Sequence, residues 1–236
     1  MLAVALDSLR RCEPAVPRLL VAADSAESAA ALRAVFRPES RDVSIVMWDE
    51  WLRLVPRGHQ AFVDRYLASG RWAGFGKKLA LLLSLNAQED ILYSDCDVLW
   101  YRSVLGEILE RTSKNSAGFC IGSDCRASFD TALLEFLDFQ FTQPTPMNTG
   151  FLGIQRGALV DALGHPRITR WEAYEGPFGC HTEQTVIACA ADCVGAEVLP
   201  SDLVGVSLAD FGRFKRQFTP GVRHYAGPKT LFWRDC

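Results

Sequence analysis

The sequence lacks a long apolar run and lacks a large excess of either charge. Its longest apolar segment lies around residues 79–85, well short of the ~18 apolar residues that a membrane-spanning helix needs. Its 25 Lys and Arg nearly balance 28 Asp and Glu, giving a net charge of −3, whereas nucleic-acid-binding proteins usually carry a basic excess. We therefore expect no transmembrane segment and no nucleic-acid partner, while peripheral contact with a membrane stays open.

A secretory signal is missing as well. The first twelve residues, MLAVALDSLRRC, contain too short an apolar run and carry Asp7 within it. We therefore expect a cytoplasmic location, with an anchor outside this sequence left open. In that compartment the eight cysteines should mostly be buried thiols rather than disulfides. They also lack the close C-x2-C pairs of zinc sites, which disfavours structural zinc.

Short apolar runs alternate with segments in which apolar residues recur at helical spacing, a pattern typical of α/β proteins. Predicted strands cover residues 18–23, 42–48, 91–93, 117–121, 151–154 and 197–199. Predicted helices include residues 29–36, 104–109 and 133–137, and two more begin near Lys77 and near Thr182. At 236 residues the chain suffices for one large α/β domain with a largely parallel sheet.

Two carboxylates, Asp95 and Asp97, directly follow the apolar strand at residues 91–93. The carboxyl ends of strands in open α/β sheets are where ligands bind. Oxygen ligands suit Mg2+ or Mn2+ bridging a diphosphate, and such an ion offsets the charge that builds on a leaving nucleoside diphosphate. The D-x-D motif therefore predicts a divalent-metal site.

The run KLALLLSLNAQEDILYSDCDVL, which starts at Lys78, resembles glycogenin-like family 8 glycosyltransferases and is similar to the family 77 nucleotide-diphospho-sugar transferases. In those families a Lys or Arg opens a helix that leads to a strand ending in the metal-binding D-x-D. The resemblance implies that Lys78 contacts the donor diphosphate or sugar. It also implies that Asp95 faces the ribose and the metal, and that Asp97 binds the metal directly.

Two further segments follow in the order that these families require. The segment PMNTGF resembles their N-[AST]-G motif, which implies that Asn148 helps to hold the sugar and that Gly150 lets the backbone come close. The segment HTEQ resembles their acidic residue–Gln pair at a helix start. It implies that Glu183 accepts hydrogen bonds from sugar hydroxyls or stabilises positive charge at the anomeric carbon, and that Gln184 lies on the reacting face.

The last matching segment, VRHYAGPK at residues 222–229, resembles the C-terminal H-x-x-G-x-x-K motif, although its lysine lies one residue nearer the histidine than usual. It implies that His224 is the third metal ligand and that Gly227 and Lys229 hold the diphosphate. In the same fold the loop after the first strand holds the nucleobase. Here that loop contains Ala23 and Asp24.

The resemblance implies a single GT-A domain over residues 1–236, with a Rossmann-like mixed, mostly parallel sheet flanked by helices. The nucleotide-binding half would span about 16–100, and the half for sugar and acceptor about 101–236. The implied activity is metal-dependent transfer of a sugar from a nucleotide-diphosphate donor, preferably a UDP-sugar, to a hydroxyl acceptor with Mn2+ or Mg2+. Both families retain the anomeric configuration without a dedicated protein base; an inverting reaction would need Glu183 or Asp124 as base.

Two other functions stay open. Strand-Asp-x-Asp also describes HAD-type phosphatases, in which Asp95 would attack phosphorus and Asp97 would act as acid and base. A non-catalytic nucleotide-sugar-binding protein could keep the same fold and the same residues without the reaction.

Overall fold

The computed structural model describes residues 1–15, 18–35, 43–207, 220–226 and 229–235, in which helices and strands are interspersed along the chain. The helices are α1 Leu2–Cys12, α2 Ala26–Val35, α3 Trp48–Leu52, α4 Arg57–Leu67, α5 Ala73–Asn86, α6 Leu105–Lys114, α7 Thr131–Leu137, α8 Ala158–Leu163, α9 Thr182–Val194 and α10 Thr230–Asp235. The strands are β1 Leu19–Ala23, β2 Val43–Met47, β3 Ile91–Ser94, β4 Val98–Trp100, β5 Phe119–Ser123, β6 Met147–Ile154, β7 Glu197–Leu199, β8 Val204–Val206 and β9 Val222–His224.

The described strands form three sheets, with the orders β1-β2, β3-β6-β5-β7 and β4-β9-β8. The mixed α/β class is confirmed, but parallel pairing does not predominate. Three of the six strand pairs are parallel, and the pairs β3–β6, β5–β6 and β4–β9 are antiparallel. The sequence could not reveal this because a short strand that is buried on both faces has the same apolar composition in either direction.

The four-stranded sheet is buried on both faces. In β5, Phe119 and Ile121 pack into a large core with α4, α5, α8 and α9, whereas Cys120 points into a second core with α1, β4 and β9. Successive side chains of a strand point to opposite faces, so one strand supplies both cores. The edge strand β3 is attached to this buried centre through its pairing with β6, and it ends where the D-x-D motif begins.

Most predicted elements are found, with shifted ends. The strand predicted from residue 151 begins at Met147, so Asn148 and Gly150 lie inside β6 rather than in a turn before it. The helix that was predicted to begin near Lys77 starts at Ala73, and the helix near Thr182 is confirmed. Elements α1, α3, α4, α8, α10, β4, β8 and β9 had no counterpart in the prediction.

The cysteines of the described part of the chain are all free, which agrees with the expected absence of disulfides. Of these, only Cys120 and Cys189 are fully buried, so the expectation of mostly buried thiols was wrong. Thiols such as Cys96 and Cys125 lie in loops beside polar side chains, where no core covers them. No helix among the described residues is long and apolar enough to cross a membrane.

Candidate metal and donor site

The pairing of β4 with β9 brings together residues that are far apart in sequence. Asp95 and Asp97 lie in the short connection between β3 and β4, and the antiparallel register sets Val98 opposite His224. The Tyr225 backbone N–H also donates to the Asp97 carbonyl at 3.0 Å. His224 therefore lies beside the D-x-D motif because of main-chain pairing, not because of a flexible loop.

The three predicted metal ligands share one site. His224 Nε2 lies 3.3 Å from Asp97 Oδ1 and 3.5 Å from Asp95 Oδ2. One ligand atom from each residue lies within 4.8 Å of the other two, and no other such group of three occurs among the residues that the structure describes. Asp97 and His224 are each only 6% exposed. Two carboxylates and one imidazole form a donor set that could hold a divalent metal ion.

Gly150 holds a position that the imidazole requires. A Cβ at this residue would overlap the ring of His224 and lie 2.8 Å from Asn148 Oδ1. The Gly150 carbonyl accepts from the Asp95 N–H at 2.9 Å, so the same residue also fixes the start of the D-x-D motif. The close approach that was predicted for Gly150 is therefore made by a metal ligand.

Lys229 lies at the rim of the same cluster. Its ammonium pairs with Asp97 Oδ2 and donates to the Tyr225 carbonyl at 2.8 Å. Burial by itself would raise the pKa of Asp97, but the neighbouring His224 and Lys229 outweigh it and hold that pKa well below its usual range. Asp97 is therefore an anion at physiological pH, the form in which a carboxylate can bind a metal ion.

Lys78 occupies a buried polar pocket next to Asp95. Its Nζ lies 3.4 Å from Asp95 Oδ1, 3.4 Å from Glu183 Oε1 and 3.2 Å from Thr149 Oγ1. Burial lowers the pKa of Lys78, yet the two carboxylates outweigh it and raise that pKa above its ordinary value. The Tyr93 hydroxyl donates to Asp95 Oδ1. Asp95 is thus oriented by a cation and a hydroxyl.

Glu183 is 1% exposed. Burial has the largest influence on its carboxyl group and raises the pKa of that group. Thr149 donates to its Oε2 at 3.3 Å, while Oε1 contacts Lys78 without an aligned hydrogen bond. Gln184 is also buried, and its Nε2 donates to the Ser128 carbonyl at 2.8 Å. The first turn of α9 therefore adds one carboxylate and one amide to the site.

Asn148 lies at the centre of the polar groups. Its Oδ1 is 2.8 Å from His224 Nδ1, and its Nδ2 is 3.0 Å from Asp124 Oδ2 and 3.3 Å from Gln184 Oε1. The residue is buried. The predicted sugar-side residues and the predicted metal ligands thus belong to one hydrogen-bonded network.

The end of β1 lies near this network. Ala23 is buried, and the exposed carboxylate of Asp24 pairs with Lys77 Nζ at 3.0 Å. The Trp48 indole N–H donates to the Asp24 carbonyl at 3.2 Å, and Lys77 lies over the indole ring. Lys78, the next residue of α5, reaches Asp95. One helix therefore joins the predicted nucleobase loop to the metal cluster.

The structure brings together the predicted site residues from Lys78 to Lys229 that it describes, whereas Asp24 contacts Lys77 and Trp48 beside them. Gly227 lies outside the described residues. Sequence reasoning missed Thr149, Tyr93 and Trp48, and it did not pair Lys77 with Asp24. The signals were available: Thr149 lies inside the N-x-G motif, and Tyr93 and Trp48 are polar aromatics at the ends of predicted strands. None of them is specific without the fold.

No model of a protein family and no curated protein sequence matches this chain. Several solved structures do. Mouse xyloside xylosyltransferase 1, in its apo form, matches 95% of this chain and 91% of its own, with a TM-score of 0.65 and 14% identity. Galactosyltransferase LgtC, in complex with donor and acceptor sugar analogs, matches 100% of this chain and 86% of its own, with a TM-score of 0.57 and 15% identity.

A third structure is the bifunctional glycosyltransferase WbbM in its apo form. It matches 95% of this chain and 43% of its own, with a TM-score of 0.62 and 13% identity. At such low identity the likeness concerns the arrangement of the backbone. The chain therefore has the GT-A fold of these glycosyltransferases, as the resemblance to families 8 and 77 predicted.

Proposed function

We propose that this protein is a metal-dependent glycosyltransferase that moves a sugar from a nucleotide-diphosphate donor, a UDP-sugar, to a hydroxyl acceptor. The observation that carries the proposal is the convergence of Asp95, Asp97 and His224 within 4.8 Å, in a chain with the GT-A fold. Residues 16–100 supply the two acids, and residues 101–236 supply the imidazole and the sugar-side residues.

Asp95, Asp97 and His224 would hold Mn2+ or Mg2+. When bound, the ion supplies Lewis-acid stabilisation of the leaving diphosphate. The donor set fits, because hard carboxylate oxygens are joined by a single imidazole and the glycine at position 150 leaves room for that ring.

Two lysines complement the charge of a diphosphate. Lys229 contacts Asp97 at the rim of the cluster, and its side chain is about one third exposed, so it can also reach a ligand there. Lys78 contacts Asp95 from the opposite side. Fixed positive charges in a partly desolvated site stabilise negative charge as it develops on a leaving group. At the other end of the donor, we assign the nucleobase to the loop of Ala23 and Asp24.

We propose transfer with retention of the anomeric configuration, in which the leaving diphosphate itself takes the proton of the acceptor. Glu183 is an unsuitable acceptor base because it is buried and engaged by Lys78 and Thr149. Asp124 already accepts from Asn148 and from the Cys125 N–H. We assign Gln184 to the reacting face of the sugar and Glu183 to electrostatic support of the anomeric carbon.

Hydrolysis of a panel of UDP-sugars in the presence of Mn2+ tests the proposal. We expect Mn2+-dependent release of UDP from at least one donor, and Asp97→Asn should reduce it by about 100-fold or more. Asp138→Asn is the matched control, because Asp138 is exposed, lies outside the site and has a positive φ that Asn tolerates.

Three results would overturn the proposal. Phosphate release from simple phosphate monoesters, dependent on Asp95, would favour the phosphatase. Donor binding without turnover across the panel and with added acceptors would favour the binding protein. Equal loss of activity in Asp97→Asn and Asp138→Asn would show that the effect is not specific to the metal cluster.

A further inference from the structure

The amide of Asn148 has only one possible orientation. The Gly150 backbone N–H points at one amide atom at 2.8 Å, and the Asp124 carboxylate lies 3.0 Å from the other. A backbone N–H can only donate and an ionised carboxylate can only accept. The atom that faces Gly150 is therefore Oδ1, and the atom that faces Asp124 is Nδ2. A flipped amide would leave both contacts repulsive.

This orientation determines which nitrogen of His224 carries the proton. His224 Nδ1 lies 2.8 Å from the same Asn148 Oδ1. Because Oδ1 can only accept, Nδ1 must be the donor, and the neutral ring then keeps its lone pair on Nε2. Nε2 is the atom that faces Asp97 Oδ1 at 3.3 Å and Asp95 Oδ2 at 3.5 Å.

We propose that Asn148 and Asp124 form a positioning pair that fixes the tautomer and the orientation of His224. The inference deepens the proposed function and depends on it only for the cation between Asp95, Asp97 and His224. Histidine ligands of metals usually donate their second ring N–H to an oxygen acceptor, and loss of that acceptor typically lowers metal affinity by about 10–100-fold.

The pair is built rigidly. Asp124 Oδ1 accepts from the Cys125 N–H at 2.7 Å, so the carboxylate is held by its own turn. Asn148 is 5% exposed, and both of its amide atoms have partners within the protein. The backbone of Gly150 lies so close to the ring of His224 that a Cβ at this position would overlap it. Asn148 therefore acts through the imidazole, while the contact with Gln184 links it to the sugar side.

The tautomer can be measured directly in the wild-type protein saturated with Mg2+, a diamagnetic ion that takes the place of a proton between Nε2 and the two carboxylates. Long-range 1H–15N spectra of histidine-labelled protein at pH 8 distinguish the two tautomers. We expect His224, assigned by comparison with His224→Gln, to carry its proton on Nδ1. Observation of the proton on Nε2 in the wild type would overturn the inference, whether or not any variant folds.

Mn2+ affinity, measured by electron paramagnetic resonance, tests the role of the pair. We expect Asn148→Ala to weaken Mn2+ binding by about 10–100-fold. The double variant Asn148→Asp with Asp124→Asn swaps carboxylate and amide, so it restores the acceptor for His224 and the bond between the two residues, and it gives up only the weaker contact with Gln184 Oε1 at 3.3 Å. Its affinity should lie within about threefold of wild type. Circular dichroism confirms that each variant folds.

Two patterns contradict the inference. One is an Asn148→Ala variant that binds Mn2+ as tightly as wild type does. The other is a swap variant that loses as much affinity as Asn148→Ala, which indicates a merely structural role. Failure of the proposed function has a different signature: a wild type that carries the predicted tautomer and binds Mn2+ but transfers no sugar from any donor.

Discussion

The two ends of the site differ in burial, although one helix supplies a lysine to each. At the metal end, Lys78 lies between Asp95, whose side chain is 25% exposed, and Glu183, which is 1% exposed. At the nucleoside end, Lys77 pairs with Asp24, whose side chain is 75% exposed. Solvent and salt weaken an ion pair that is exposed to water, so it contributes little to stability. Removal of one partner of a buried ion pair leaves the other charge buried without compensation, which is strongly destabilising. Replacement of Lys78 should therefore destabilise the protein much more than replacement of its neighbour Lys77.

The largest expected effect comes from replacing these two lysines separately. Lys78→Met leaves Asp95 and Glu183 without their buried cation, which should lower the free energy of unfolding by about 3–5 kcal/mol at pH 7. Lys77→Met should lower it by less than about 1 kcal/mol. Urea denaturation measures both values. Equal losses of unfolding free energy in the two variants would contradict the difference in burial between the metal end and the nucleoside end.

The pH dependence of Lys78→Met sharpens the same contrast. Without Lys78, burial raises the pKa of Glu183 further, so the folded state takes up protons that the unfolded state does not bind. Such a group destabilises the fold above its folded pKa, and the penalty disappears as the pH falls below its unfolded pKa. The loss of stability should therefore be smaller at pH 5 than at pH 8. A loss that grows on acidification would contradict the assignment.

Replacing Gly150 and Gly74 separately by Ala should change the stability of the protein by intermediate amounts, with a loss at Gly150 and no loss at Gly74. Gly150→Ala places a methyl group on the His224 ring and should destabilise the protein by about 1–3 kcal/mol. Gly74, in the first turn of α5, has open space where a Cβ would lie, so Gly74→Ala should be neutral or stabilising by up to about 1 kcal/mol. Thermal denaturation monitored by circular dichroism measures the change in melting temperature of each variant. Equal decreases in the two variants would contradict the prediction.

The smallest effect concerns Cys125, which neighbours the positioning pair. Cys125 is exposed, but partial desolvation by the surrounding loop and the charge of the adjacent Asp124 raise the pKa of its thiol to about 11, so little thiolate is present at pH 8. Asp124→Asn should speed alkylation of Cys125 by iodoacetamide by about three- to tenfold. Peptide mass spectrometry measures the rate, with Cys12 in the same sample as internal control. An unchanged rate would show that the Asp124 charge does not act on this thiol.

Much of the site was predictable because its residues occur in recognisable segments. Asp95 and Asp97 follow an apolar strand, and His224 stands in a segment that resembles the family motif. The structure brings these three residues into one cluster, and their role as metal ligands stays a prediction. The roles assigned to the donor-side and sugar-side residues remain predictions.

The pairing that assembles the site was not predictable. Strands β4 and β9 have three residues each, which is too short for any periodicity to be recognised. The orientation of β6 was equally hidden, because all eight of its residues are buried and no alternation marks its faces. The hydrogen bond from His224 to Asn148 depends on both features, so it follows only from the three-dimensional structure.

Titration of the purified protein with Mn2+, followed by electron paramagnetic resonance, tests the central claim most directly. The wild type and Asp138→Asn should each bind one Mn2+ per chain, with the same affinity, at the cluster of Asp95, Asp97 and His224. Asp97→Asn and His224→Ala should both lose that site. A wild type that binds no Mn2+, or a His224→Ala variant that binds it as tightly as wild type, would contradict the claim that the two acids and the imidazole hold one cation.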